Sequence, residues 1–175
     1  MSYERPSVRR WRRRHLRLVK AKTGASIEAS KSLIVEYGRS LGIDLSFQNF
    51  FEEIANFPQG YRSPDGEILL VYLEGEAVGV VALRKFESNI CEMKRLYVKP
   101  RFRRLGIGRT LVKRLVHDAA SMGYEKMVLD TLADMRGATA LYRRLGFKEI
   151  PPYRFNPIPG TIFMELDLVN ETSSR

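Results

Sequence analysis

Arg103-Arg104-Leu105-Gly106-Ile107-Gly108-Arg109 is the stretch on which the fold turns. It lies between a run that reads as a strand and one that reads as a helix. Glycine lets the backbone approach a ligand closely, and the free N–H groups of a first helical turn, aided by the helix dipole, favour phosphate. Arg101, Arg103, Arg104, Arg109 and Lys113 add charge suited to a polyanion carrying a pyrophosphate and a further phosphate. The same residues also read as a glycine turn beneath a solvated basic face, and the stretch by itself leaves both readings open. Two nucleotide cradles do not fit: the chain has no GxGxxG and no Gly-Lys-Ser/Thr.

On the C-terminal side, Ile107, Leu111, Leu115 and Met122, with Val112, Val116 and Ala119 beside them, predict a helix buried on one side. Residues 126–132 read as a buried strand, 135–145 as a helix closed by Gly146, and 161–168 as a last strand. On the N-terminal side, residues 90–98 predict a strand ended by Pro100. Before it, 67–73 and 77–86 form a hairpin across Glu74, Gly75 and Glu76. Pro58, Gly60, Pro64 and Gly66 mark a loop. A short helix over 48–56 has Phe47, Phe50, Phe51 and Ile54 as its apolar side. An earlier helix takes Ser26 as N-cap and carries Ile27, Ile34, Tyr37 and Leu41 before Gly42 stops it. Residues 15–21 alternate as a first strand, 1–14 read as a basic flexible arm and 169–175 as a tail. Hairpins followed by strand, helix, strand, helix predict one α/β (α+β) domain at 15–168 on a mixed sheet, and 175 residues at 44% hydrophobic content suffice for one core.

The glycine stretch follows Leu96-Tyr97-Val98 and precedes, by about thirty residues, Ala138-Thr139-Ala140-Leu141-Tyr142-Arg143-Arg144-Leu145-Gly146-Phe147. RxxGxG after a strand, with AxxLYxxxGF in the next helix, resembles the GNAT family of N-acetyltransferases over residues 15–168. The resemblance implies a twisted, mostly antiparallel mixed sheet flanked by helices, in which the strands near 91–98 and 126–132 splay apart. Acetyl-CoA, the implied co-substrate, would lay its pantetheine in that gap against main chain around Leu96, Tyr97 and Val98, with Ala138 alongside. Its pyrophosphate would rest on the amides of Leu105, Gly106, Ile107, Gly108 and Arg109, near Arg103 and Arg104. Members often carry Asn seven residues before the tyrosine. This chain has Met135 there, which puts one polar contact to the pantetheine in question.

Acetyl transfer to an amine needs a base for the ammonium, a donor for the developing oxyanion and an acid for the leaving thiolate. By the resemblance the acid is Tyr142, a phenol of ordinary pKa about 10. Glu92 stands eleven residues before Arg103, about where many members carry a base acting through water. Glu92, Lys94 and Leu96 share a face if no bulge intervenes, and a glutamate paired with Lys94 or Arg84 is the competing reading. An N–H near Leu96 or Tyr97 is the oxyanion candidate. Cys91 points to the other face and is given no nucleophile role. His117 falls on a solvated helix face, His15 in the arm, and no metal is expected. For the acceptor, the candidates are Phe47 and Phe51 in the aromatic helix, and Tyr153 and Arg154 in a proline-fixed loop at 151–157.

The net charge of +10 is unevenly placed: residues 1–22 hold nine basic side chains against Glu4, leaving about +2 on the rest. The reading is therefore a cytoplasmic N-acetyltransferase acting on an amine of a small molecule or peptide, without a membrane span and with a homodimer left open. The alternative is a catalytically weak CoA-binding regulatory module whose arm binds nucleic acid. A targeting role for the Arg-rich arm is a third reading. One cysteine allows no intrachain disulfide and suits a reducing compartment.

Overall fold

Seven strands and four α-helices follow one another in a computed structural model that describes residues 16–46 and 49–169. In chain order they are β1 (Leu16–Lys20), α1 (Gly24–Ser40), α2 (Phe50–Ala55), β2 (Glu67–Leu73), β3 (Glu76–Lys85), β4 (Ile90–Val98), α3 (Ile107–Ser121), β5 (Lys126–Thr131), α4 (Arg136–Arg144), β6 (Lys148–Ile150) and β7 (Ile162–Asp167). The strands form one sheet in the order β1-β2-β3-β4-β5-β7-β6. All neighbours are antiparallel except β4 and β5, which run parallel because α3 carries the chain back between them. No described helix is long and apolar enough to cross a membrane.

Alternation along the strands gives the sheet two apolar faces, each covered by helices. On one face Leu69, Val71, Val81, Leu83, Met93, Met127 and Leu129 pack with Leu111, Val112 and Leu115 of α3 and Tyr142 of α4. On the other, Ile68, Leu70, Val80, Ala82 and Tyr97 meet Leu33 and Ile34 of α1 and Phe50 of α2. The α1–α2 contact depends on Gly38, where a Cβ would stand 2.6 Å from the Phe50 ring.

Four local readings need correction. The N-cap of α1 is Thr23, whose side chain accepts from the Ser26 amide, while Ser26 returns a bond to the Thr23 N–H; Ser26 is thus the third helical residue of a capping box. In α2 the apolar side is narrower than expected. Phe50 is buried and Ile54 half-buried, but Phe51 is 74% exposed, because a six-residue helix offers only one inward stripe. Strand β6 was not anticipated; Lys148-Glu149-Ile150 is too short to show alternation and is defined by its pairing with β7. Finally, β4 carries a bulge. Val80 faces Tyr97 and Ala82 faces Lys94, so Arg95 and Leu96 together oppose Val81, and Arg95 takes φ 60°. Leu96 is thereby turned to the α3 face, away from Glu92 and Lys94. The arm at 1–14, His15, Phe47 and tail residues 170–175 lie outside the described residues.

Candidate active site

At the C-terminal end of β4 the chain turns sharply into α3. Arg104 (φ 66°) and Gly106 (φ 82°) are both left-handed, and Gly106 is the N-cap of a 15-residue helix with no side-chain cap and no acid in its first turn. The first intrahelical bond runs from the Thr110 N–H to the Gly106 carbonyl, so the amides of Ile107, Gly108 and Arg109 have no helical acceptor. A Cβ on Gly106 would meet nothing within 4 Å, so the cradle is open to a ligand. All five nearby cations, Arg101, Arg103, Arg104, Arg109 and Lys113, are exposed. Arg101 pairs with Glu76, and Arg103 donates to the Val98 carbonyl at 3.0 Å with its guanidinium over the Tyr97 ring.

Next to this cradle the sheet opens. Strands β4 and β5 pair only through Ile90, Cys91 and Glu92 against Lys126, Met127 and Val128, while β4 runs on to Val98 and β5 to Thr131. The gap is walled by Met93, Lys94, Arg95 and Leu96 on one strand and by Leu129, Asp130 and Thr131 on the other. It reaches both faces of the sheet: Tyr37, Leu41 and Leu45 line it on the α1 side, Ala138 and Tyr142 on the α4 side. Tyr142 is buried, its ring 5.7 Å from that of Phe147, and burial pushes its phenol up so that it keeps its proton. Met135, at the N-cap of α4, puts its thioether 4.0 Å from the Tyr37 hydroxyl and 3.9 Å from that of Thr131. A soft sulfur contacting two hydroxyls thus stands where the resemblance places an amide side chain.

The α1 side of the gap holds a charge cluster. Glu92 is fully buried and engaged at both oxygens: Arg84 Nε donates to Oε2 at 2.7 Å, the Tyr153 hydroxyl to Oε1 at 2.9 Å, and Arg154 Nη2 also reaches Oε1. Asp130 accepts from Arg154 at 3.3 Å and from Asn156 Nδ2 at 3.1 Å. Glu53 of α2 is gripped by Arg95 through Nε at 3.0 Å and Nη2 at 2.7 Å, and accepts from the Tyr61 hydroxyl at 2.8 Å. Burial, followed by the Arg84 charge, lowers Arg154 to about 10, and its buried Nε has no acceptor among the described residues. Tyr153 sits edge-on to Phe86 and Phe163, and burial raises its phenol.

The fold thus brings Glu92, Tyr142, Tyr153, Arg154, Leu96, Met135 and Ala138, all expected from the sequence, to or beside one gap, with the glycine cradle at its end. Phe51 points to solvent rather than into the gap. Cys91 is buried on the α3 face, donates to the Lys126 carbonyl at 3.4 Å, and is pushed up to about 12 by burial; His117 is exposed. Lys94, Asp130, Tyr37 and Asn156 were not singled out for the site. The available signal was the charge inside the two strands: Asp130 in β5, which was read as a buried strand, and Lys94 beside Glu92 and Arg95 in β4.

A sequence profile described as the acetyltransferase (GNAT) family matches residues 32–147. An uncharacterized N-acetyltransferase of Schizosaccharomyces pombe is 44% identical over 79% of this chain and 86% of its own length. The N-acetylaspartate synthetase of Rattus norvegicus is 36% identical over 62% of this chain, which spans only 37% of that protein. Among solved structures, the PaiA N-acetyltransferase of Thermoplasma acidophilum, in complex with coenzyme A, superposes with a TM-score of 0.67 at 15% identity, over 87% of this chain and 98% of that one.

Proposed function

Since the chain belongs to the acetyltransferase (GNAT) family, we propose that it moves the acetyl group of acetyl-CoA directly onto an amine of a small molecule or peptide. The observation that carries this reading is the adjacency of an uncapped helix N-terminus and a through-sheet gap walled by Tyr142. The family enzymes act as acyl-CoA-dependent N-acyltransferases. The product named for the synthetase relatives is an N-acetylated amino acid, and the acceptor that corresponds to it is the free amine of that amino acid.

In this reading the amides of Ile107, Gly108 and Arg109, with the exposed Arg104 and Arg109 side chains, hold the pyrophosphate of acetyl-CoA. Gly106 leaves its approach open. The main chain at Leu96, Tyr97 and Val98 lines the pantetheine and offers the oxyanion donor, while Met135 and Ala138 form the opposite wall. When bound, acetyl-CoA supplies an activated acyl group with a thiol leaving group. Tyr142 holds a proton at Oη, kept there by burial, and delivers it into the gap. Glu92 is the candidate base. Both of its oxygens are engaged, so it accepts the ammonium proton only when Tyr153 or Arg154 yields a place on Oε1. Deprotonation is then conditional on the acceptor being seated. Tyr153 and Arg154 lie on the acceptor side; Phe51 is exposed and has no contact that argues for such a role, and Phe47 lies outside the described residues. A cytoplasmic location agrees with the single, buried cysteine. The nucleic-acid reading rests on the arm, outside the described residues.

The test is turnover of acetyl-CoA against amines, amino acids and basic peptides, followed as thiol release. Release that depends on one acceptor class is the expected result. A folded chain that releases no thiol with any of them refutes transfer.

A further inference from the structure

Around the α1 side of the gap stand the carboxylates Glu53, Glu92 and Asp130, and each is taken. Arg95 holds Glu53 through two nitrogens, Arg84 and Arg154 hold Glu92, and Arg154 also reaches Asp130. Three guanidiniums thus match three carboxylates. A fourth cation, Lys94, is left over. Its side chain is 4% exposed and lines the gap, yet its ammonium makes no hydrogen bond among the described residues. The Glu92 and Asp130 oxygens stand at 4.0 and 3.9 Å, beyond hydrogen-bond reach. A buried cation that lines a pocket with three unused donors is an anion receptor short of its anion.

We propose that the Lys94 ammonium is the carboxylate subsite of the acceptor pocket, so that the amine acetylated here is that of an amino acid. The proposal rests on the acetyl-transfer reading and names its substrate class. An amino acid carries its carboxylate beside the amine, so a carboxylate on Lys94 keeps that amine at the gap, on the side opposite Tyr142. It also supplies the one negative charge the cluster lacks. Polyamines and basic peptides would instead add positive charge to a pocket that already has a surplus cation. Burial, and then the Arg95 charge, hold Lys94 down to about 7 in the empty pocket, as befits an ammonium whose counter-ion arrives with the ligand.

The experiment compares wild type, Lys94→Met and Lys94→Arg in the full chain. The acceptors are L-aspartate, L-leucine and L-phenylalanine, each paired with the amide in which every carboxylate is blocked. With acetyl-CoA saturating, at least one amino acid should be preferred to its amide. Lys94→Met should raise KM for that amino acid ~100-fold and shift the amide by less than ~3-fold, as expected for a lost charge-assisted contact; Lys94→Arg should recover part of the loss. Equal use of acids and amides by wild type overturns the proposal. So does an equal fall in kcat for acid and amide in Lys94→Met, the mark of a structural or proton-transfer role. Calorimetric titration of the CoA-loaded chain with the same amino acids separates this subsite from the reading beneath it. Binding that depends on Lys94 without thiol release keeps the subsite and removes transfer. Absence of binding by wild type overturns the subsite.

Discussion

Lys94→Met should make the protein more stable, by an amount set by pH. In the folded chain Lys94 is pulled from 10.5 to about 7, chiefly by burial, with Asp130 opposing the drop. Between those two values the unfolded chain binds more protons at this position than the folded one, so stability rises with pH across that window. The penalty is full below pH 7, where both states are charged, and vanishes above 10.5, where both are neutral. At ~1.4 kcal/mol per pH unit, the full penalty is about 5 kcal/mol. It is about 4 kcal/mol at pH 7, where half the folded chains have already shed the proton, and about half the full value near pH 9. The attraction of Asp130 is already inside that net value. Methionine keeps an unbranched chain of similar length and carries no charge, so it removes the penalty with little change in packing. Urea unfolding of both proteins at pH 6, 7, 9 and 10.5 gives the difference directly, and titrating groups remote from Lys94 cancel. An advantage for Met that shrinks steadily as pH rises is the expected result. No advantage at pH 6, or one that does not change with pH, would refute the account of Lys94 as a desolvated cation that its nearby carboxylates do not hydrogen-bond. A variant that gains stability while losing acceptor affinity is the usual signature of a residue kept for function.

Gly106→Val should weaken acetyl-CoA binding by at least ~10-fold, since it forces a branched residue to φ 82° and fills the open cradle; calorimetric titration of the folded variant reads the loss. Unchanged affinity would remove this turn from the site. Tyr142→Phe keeps the ring against Phe147 and removes the hydroxyl, so acetyl-CoA affinity should hold while kcat falls ~100-fold or more. Wild-type turnover, measured where chemistry limits the rate, would mean that Tyr142 only packs. Glu92→Gln should leave a residual rate that climbs with pH as bulk solvent takes over deprotonation, and a pH profile parallel to wild type would count against Glu92 as the base.

The parts of the fold governed by local chemistry were legible in the sequence. β4 runs over the anticipated residues 90–98, and α3 and α4 end within a residue or two of the positions read from period and glycine. The glycine turn announced the cradle because φ 82° is a local demand that glycine alone meets without strain. What stayed hidden depends on partners distant in sequence. The bulge at Arg95 is tied to an ion pair with Glu53, 42 residues away, and without that contact the strand reads as plain alternation that would keep Leu96 beside Lys94. Lys94 itself looked like one more half of a strand pair. Its importance appears only once Arg84 and Arg154 are seen to occupy Glu92, and the second of these comes from a loop 62 residues further on.

The brief parallel seam between β4 and β5 also bears on solubility. From Met93 onward β4 presents, on the side of β5, a stretch of main chain with no neighbouring strand, which is the condition that makes exposed sheet edges stick to one another. Here that free edge lies inside the sheet, with β3 behind it, β5 across the gap and helices over both faces. The fold thereby withholds that unpaired edge from other proteins as a template for aggregation, and in the proposed reading the edge is left to the amide groups of the pantetheine.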